Sequence, residues 1–136
     1  MTLIWRKQLE IGDEIIDTDH KYLICLINTV ELTLRTPNSR DLLPVTLAQL
    51  EEYTHAHFER EESIMLAIRY SRYDQHKLQH QLLLKELAAL QKKIEAKGEG
   101  EFSDQECTDI ATLFRHWLID HVAKEDLLLK GALAGK

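Results

Sequence analysis

Four long segments of the chain repeat apolar residues every three to four positions, and this period limits the possible folds more than any other sequence feature. It is the period of an α-helix with one apolar face. The segments cover residues 18–35, 41–67, 71–97 and 103–130, with short breaks that include Thr36-Pro37-Asn38-Ser39 and Gly98-Glu99-Gly100. Short connections make successive helices antiparallel. The pattern predicts an all-α fold, an up-down-up-down antiparallel four-helix bundle that forms one domain over residues 1–136.

Several residues mark the ends of these helices. Pro44 is tolerated in the first turn of the second helix. Ser103 and Glu106 are spaced as a capping box at the start of the fourth, and Gly131 after Lys130 predicts its end. Before the first helix, residues 1–17 are expected to form an arm on the bundle. The predicted packing contacts of this arm are Trp5, Leu9, Ile11, Ile15 and Ile16.

Composition excludes several classes of partner. The net charge is −6, from 17 basic and 23 acidic side chains, which disfavours binding to nucleic acid or to an anionic membrane surface. The uncharged stretch Tyr22–Val30 is far shorter than the roughly 20 residues of a membrane span. No signal peptide is recognised, and Cys25 and Cys107 do not make a disulfide framework. We therefore expect a cytoplasmic protein.

Seven histidines are many for this chain, and their positions are informative. At about 100° per residue, five of them share a face with apolar residues. The faces are His20 with Ile24, Ile27 and Leu34; His57 and Glu61 with Leu43, Leu50, Tyr53, Ile64 and Ile68; His76 and His80 with Leu83, Leu87, Leu90 and Ile94; and His121 with Ile110, Phe114, Trp117 and Leu128. His55 and His116 point about 160° and 140° away from His57 and His121, so we expect both on the surface.

Five inward imidazoles need a common partner. Unpaired buried polar groups cost roughly 1–3 kcal/mol each, and five would cancel most of a stability of about 5–15 kcal/mol. A metal centre satisfies them together, because each neutral imidazole gives one nitrogen to the ion. Imidazole and carboxylate without thiolate suit iron, zinc, copper or nickel. The candidate ligands are too many for one tetrahedral zinc, which favours two ions.

Two i,i+4 pairs on facing helices support this interpretation, since such pairs project neighbouring side chains from one helix face. They are His57 with Glu61, and His76 with His80. A different di-iron architecture is suggested by Glu52-x-x-His55, the motif of ferritin-like bundles. That fold requires two copies of the motif, and His55 is expected to point outward.

Extended runs around these histidines resemble bacterial hemerythrins over nearly the whole chain. The runs are Trp5; Ile16-Asp17-Thr18-Asp19-His20-Lys21; His57-Phe58-Glu59-Arg60-Glu61-Glu62 with Met65; His76-Lys77-Leu78-Gln79-His80; and Trp117-Leu118-Ile119-Asp120-His121-Val122-Ala123-Lys124-Glu125-Asp126. The resemblance implies two irons, one held by His76, His80 and His121 and the other by His20 and His57. Glu61, Asp126 and an oxo or hydroxo group would bridge them.

The resemblance and the helical period disagree about the last of these ligands. Glu125 is four residues after His121 and lies about 40° off its face, whereas Asp126 lies about 140° away. The resemblance names Asp126. Both hold only if the fourth helix is overwound or bulged, or if Asp126 approaches from the side. Functional sites often carry a π-bulge.

The resemblance also implies an activity. Two octahedral irons offer twelve positions, and the five histidines, two bridging carboxylates and one oxygen bridge fill eleven. The open position, on the iron with two histidines, is the expected site of reversible dioxygen binding for transport, storage or delivery, without enzymatic catalysis. The candidate dry pocket, which also fits plain core packing, is Ile24, Ile27, Phe58, Trp117 and Val122.

Two other functions use the same open position. An oxygen or redox sensor would change its contacts with a partner, and an enzyme would scavenge peroxide or nitric oxide. We find no extra base, nucleophile or reductant-binding motif that supports turnover. For a carrier, the expected partners are dioxygen and an oxygen-consuming recipient protein.

Overall fold

Helices make up nearly all of the computed structural model, which describes residues 3–36, 38, 41–98 and 100–135. Among these residues no β-strand occurs. A short 3-10 helix, Lys7–Leu9, precedes the main elements. These are α1 (Glu14–Arg35), α2 (Leu42–Ala67), α3 (Tyr73–Glu95), α4 (Asp104–His121), a π-helical segment (Val122–Asp126) and α5 (Leu127–Ala134).

The long helices close into a ring of four. α1 packs against α2 and α4, and α3 packs against the same two helices from the other side. The segment of α4, the π-helix and α5 together forms the fourth member of the ring. This arrangement confirms the predicted antiparallel four-helix bundle. No helix in the described part of the chain is long and apolar enough to cross a membrane.

α1 begins four residues earlier than predicted, so the arm ends at residue 13 rather than at 17. Asp13 is the N-cap, and its side chain accepts hydrogen bonds from the backbone N–H groups of Ile15 and Ile16 at 3.0 and 3.1 Å. Gly12 turns the chain into the helix with φ +96°, a left-handed conformation that favours glycine. Asp17 accepts from the N–H groups of the turn itself.

The arm lies on α1 largely through the predicted contacts. Ile11 and Ile16 are fully buried, and Trp5 and Leu9 are half-buried against the core. Ile15 was predicted wrongly, because it is 52% exposed. The earlier start of α1 accounts for this, because it places Ile15 in the first turn of the helix, about 100° around the axis from the buried Ile16.

The other helix ends lie within two residues of the prediction, with one exception. Ser103 and Glu106 form the capping box of α4, with both reciprocal hydrogen bonds present. Pro37, Ser39 and Glu99, in the two predicted breaks, lie outside the described residues.

The exception is the end of the fourth helix, which runs through Gly131 to Ala134 instead of ending at Lys130. A glycine inside a helix costs only about 1 kcal/mol relative to alanine. Leu133, which follows the glycine in the chain, packs against the core, and this contact extends the helix past Gly131.

The π-helical segment shifts the apolar face of everything that follows it. Leu128, predicted to lie in line with His121, is 51% exposed, while Leu129 is fully buried. A π-helix contains one more residue per hydrogen-bonded turn than an α-helix. The inward face of α5 is therefore displaced by one residue from the α-helical expectation.

This shift predicts a contrast between two neighbouring leucines. Leu129→Ala is expected to lower the free energy of unfolding by about 2–5 kcal/mol, as for other fully buried leucines. Leu128→Ala, its matched control, should change the free energy by no more than about 0.5 kcal/mol. Urea unfolding of the metal-free protein measures both. A larger loss for Leu128→Ala would show that the helix keeps one α-helical phase.

Candidate metal centre

Five histidines converge inside the bundle, each no more than 7% exposed. They are His20 from α1, His57 from α2, His76 and His80 from α3, and His121 from α4, joined by the fully buried carboxylates Glu61 and Asp126. All seven are the ligands that the resemblance implies. His55 and Glu52 are exposed, so the ferritin-type motif faces solvent. His116 is also exposed, and lies 3.5 Å from Asp120.

The seven side chains form two overlapping groups. One contains Glu61, His76, His80, His121 and Asp126, and the other contains His20, His57, Glu61 and Asp126. Within each group, one ligand atom per residue lies within 4.8 Å of all the others. Only the two carboxylates belong to both groups. This is the division that two ions with two bridging carboxylates would require.

Unpartnered buried atoms test whether a metal fits here. Nε2 of His20 lies 3.0 Å from Oδ2 of Asp126, and Nε2 of His121 lies 2.9 Å from Oδ1 of the same carboxylate. None of these four atoms has a properly oriented hydrogen bond. Buried polar atoms are nearly always paired, so their common orientation calls for an ion. Nitrogen and carboxylate oxygen without sulfur are donors that suit iron.

The π-helical segment places Asp126 in this cluster. Its backbone pattern spaces residues at i and i+5 along one face, which aligns Asp126 with His121. Of the geometries left open by the sequence, the structure shows a bulge rather than overwinding. Glu125, favoured by the α-helical period, instead lies 3.8 Å from Arg72.

The turn between α2 and α3 covers one end of the cluster. Arg69 takes a left-handed conformation there, with φ 55°. The next residue, Tyr70, is 9% exposed, and its ring centre lies 6.3 Å from that of His76. Tyr70 was not predicted from the sequence, because it lies outside the long helices and their periodic faces.

Two further acidic residues that were not predicted from the sequence accept hydrogen bonds from the Nδ1 atoms of clustered histidines. Oδ2 of Asp19 accepts a hydrogen bond from Nδ1 of His57 at 3.0 Å. Oε2 of Glu62 accepts one from Nδ1 of His80 at 2.7 Å. Such partners orient a metal-binding imidazole and raise its basicity. The available signal was an acidic residue directly beside a candidate ligand in the sequence.

Opposite charges shift the pKa values of the cluster in the absence of a metal. Burial and the neighbouring Asp126 would raise the pKa of Glu61, but hydrogen bonds with three histidines hold it well below its usual range. Burial would lower the pKa of His57, yet Asp19 and Glu61 raise it to about 9. Burial would likewise lower the pKa of His76, which Asp126 and Glu61 raise to about 10.

These shifts predict that iron loading releases protons. At pH 7.5 the metal-free protein carries His57 and His76 as imidazolium, and each must lose a proton to coordinate a metal. Calorimetric titration with Fe²⁺ in two buffers of different ionisation enthalpy should give about two protons per molecule. A value near zero would contradict the expectation.

The same shifts fix the sign of a pH effect on stability. Because both pKa values are raised above 6.5, the two histidines stabilise the metal-free fold fully below that pH. This stabilisation is lost as the pH rises through 9 to 10. Thermal unfolding of the metal-free protein should show the loss, and the iron-loaded protein should not.

The apolar residues predicted to form a dry pocket lie in the interior of the bundle. The five predicted pocket residues are buried, each at most 5% exposed: Ile24, Ile27, Phe58, Trp117 and Val122. The ring of Phe58 stacks on that of His80 with centres 3.8 Å apart. Nε1 of Trp117 donates to the carbonyl of Leu83, which joins α4 to α3.

A groove of about 530 Å³ runs between α3 and α4 and is lined in part by His121 and Trp117. His121 is the most exposed of the five clustered histidines. The side of the site formed by α1 and α2 carries His20 and His57, which are no more than 2% exposed. The imidazoles of His20 and His57 are therefore more completely shielded from solvent than that of His121.

Comparison with known proteins agrees with this geometry. Residues 11–133 match the family model of the hemerythrin HHE cation binding domain. A bacteriohemerythrin of Methylococcus capsulatus is 34% identical over 112 residues, 82% of this chain and 81% of the relative. One of Stenotrophomonas maltophilia is 28% identical over 124 residues, 91% and 76% of the two chains.

An animal relative extends the comparison. The myohemerythrin of Sipunculus nudus is 27% identical over 130 residues, 96% of this chain and 92% of the relative. No solved structure gave a significant match. The family model covers most of the chain, so the protein belongs to the hemerythrin family of helical bundles, which bind oxygen at a pair of iron ions.

Proposed function

We propose that the protein binds dioxygen reversibly and serves as an oxygen carrier or store rather than as an enzyme. The observation that carries this proposal is the unequal division of the donors. Five residues form one group and four form the other, with both carboxylates shared. A pair of ions held in this way has one ion with fewer protein donors, and that ion is available to an external ligand.

The ligand assignment follows the two groups. His76, His80 and His121 would hold one iron, His20 and His57 the other, and Glu61 and Asp126 both. Two ferrous ions in such a site supply the reversible coordination and reduction of dioxygen. We assign the open position to the side of His20 and His57. Within the single domain 1–136 that we propose, α1 and α2 hold this side.

The surroundings support binding without turnover. Five neutral imidazoles and two carboxylates give the site less negative charge than a carboxylate-rich site would have. The buried side chains of Ile24, Ile27, Phe58, Trp117 and Val122 limit the access of water. Exclusion of water slows competing proton transfer and hydrolysis at a reactive centre. We therefore propose these five as the lining of the oxygen pocket.

The test is repeated cycling between air and argon. The protein is loaded anaerobically with Fe²⁺, and its visible spectrum is followed over several cycles. A carrier should develop a new absorption in air and lose it under argon with little loss per cycle. His55→Ala, a surface variant, should behave as the wild type does.

Two other results would overturn the carrier proposal. Rapid one-way conversion to diferric protein would favour an oxygen or redox sensor. Sustained consumption of peroxide or nitric oxide in the presence of a reductant would favour an enzyme.

We further propose a cytoplasmic location and an oxygen-consuming recipient protein. Cys25 is exposed and forms no disulfide with any residue that the structure describes. Exposed thiols are typical of reducing compartments. A thiol-blocking reagent added during lysis should modify Cys25, and this modification would show that the thiol is reduced in the cell, as a cytoplasmic location requires.

A further inference from the structure

Asp19 accepts four hydrogen bonds although it is not one of the candidate metal ligands. The residue is buried, with only 4% exposed. Tyr53 donates its hydroxyl to Oδ1 at 2.6 Å, and Nη2 of Arg60 donates to the same atom at 2.8 Å. Oδ2 accepts from Nε of Arg60 at 2.8 Å and from Nδ1 of His57 at 3.0 Å. Asp19 is thus fixed from three sides and does not belong to either ligand group.

This arrangement determines which nitrogen of His57 can face a metal. An ionised carboxylate only accepts hydrogen bonds, so Nδ1 of His57 must carry the hydrogen. In the neutral ring, Nε2 then has a lone pair available to bind a metal. This atom points into the cluster, 3.3 Å from Oε2 of Glu61. Asp19 therefore selects the tautomer that metal binding needs.

Arg60 and Tyr53 give the carboxylate a defined orientation. The guanidinium contacts both oxygens, a two-point contact that fixes the plane of the carboxylate. The carbon of that guanidinium also lies 5.3 Å from the ring centre of Tyr53. His80 is supported differently: its partner Glu62 is 19% exposed, against 5% for the side chain of Asp19. The two halves of the site thus differ in how firmly a carboxylate supports the imidazole.

We propose that Asp19 is a positioning residue for the open side of the iron pair, holding His57 through a carboxylate that Arg60 and Tyr53 lock in place. This inference rests on the proposed function for the meaning of the open side. The negative charge of Asp19 increases electron donation by His57 and so lowers the reduction potential of the iron it binds. Asp19 acts only through His57 and does not touch the metal.

The test separates the hydrogen bond from the charge. Asp19→Ala removes both, whereas Asp19→Asn keeps an oxygen that can accept from His57 but removes the charge. Fe²⁺ affinity is measured anaerobically by competition with a chromophoric chelator, and the midpoint potential by redox titration. We expect Asp19→Ala to weaken Fe²⁺ binding about 10- to 100-fold. Asp19→Asn should bind Fe²⁺ within about 5-fold of the wild type but show a higher midpoint potential.

Glu31→Gln is the matched control. Glu31 lies on the same helix, is buried to 9% exposure, and accepts from Arg115 at 2.9 Å. Its replacement should lower stability without changing Fe²⁺ affinity or potential. Far-ultraviolet circular dichroism of the metal-free variants checks that each one folds.

Three results would overturn the proposal: wild-type Fe²⁺ affinity in Asp19→Ala, an equal loss in Asp19→Asn and Asp19→Ala, or an equal loss in Glu31→Gln. All measurements use Fe²⁺ without oxygen. A protein that failed to bind dioxygen reversibly would refute the proposed function, yet would leave this test of Asp19 intact.

Discussion

Replacing His76 with alanine is expected to remove at least one iron and to reduce iron affinity by more than about 100-fold. This loss exceeds the roughly 10- to 100-fold effect that is typical when a residue that only supports a ligand is removed. Nε2 of His76 contacts Glu61 and lies 3.0 Å from Oδ1 of Asp126, so the variant loses a donor that touches both shared carboxylates. Bound metal stabilises the native state by about 3 kcal/mol at 100 times the dissociation constant. Iron analysis and thermal unfolding measure the two losses.

The matched controls are surface histidines on two helices of the same bundle. His55→Ala and His116→Ala should keep full iron content and the wild-type unfolding temperature, because both side chains are exposed. His121→Ala should resemble His76→Ala. If His116→Ala removes the metal and His121→Ala does not, the assignment on α4 is wrong.

Asp126→Asn is expected to have a comparably large effect. Asp126 belongs to both ligand groups, and its two oxygens lie 2.9 to 3.0 Å from histidines of each group. A neutral amide offers one oxygen donor and no charge, so it cannot bridge two cations as a carboxylate does. We expect iron affinity to fall by more than about 100-fold, measured anaerobically against a chelator.

The neighbouring residue gives a control that tests the helix geometry itself. Glu125→Gln should retain both irons, because Glu125 lies beside Arg72 and outside both groups. Loss of iron in Glu125→Gln with retention in Asp126→Asn would indicate a regular α-helix here, contrary to the observed π-helical turn.

Much of the fold and site follows from the helical period of the sequence. The inward positions of His20, His57, His76, His80 and His121 need only a regular helix and an apolar face, and all five are buried. The overall bundle follows from the short connections between long amphipathic segments. These features depend on local spacing, which a single sequence contains.

What the period alone did not predict depends on departures from a regular helix. The helical period alone favoured Glu125 over Asp126 and placed Leu128 inward, because it assumes about 100° per residue throughout the helix. The prediction of Asp126 as a ligand came from the family resemblance. The start of α1 was missed because Asp13 as an N-cap leaves no periodic signal. Asp19 and Glu62 support histidines across the bundle, and contacts between helices are not encoded in the spacing along one of them.

The π-helical turn also divides the last helix into two mechanical parts. Its altered hydrogen-bond ladder separates α4, which is packed along the bundle, from α5, which has one fully buried side chain, Leu129. Segments with few buried contacts open locally at low free-energy cost. Amides of α5 can therefore fray and exchange with solvent as one unit, while α4 stays closed. When Asp126 is bound to the metal, the fraying should stop at this residue.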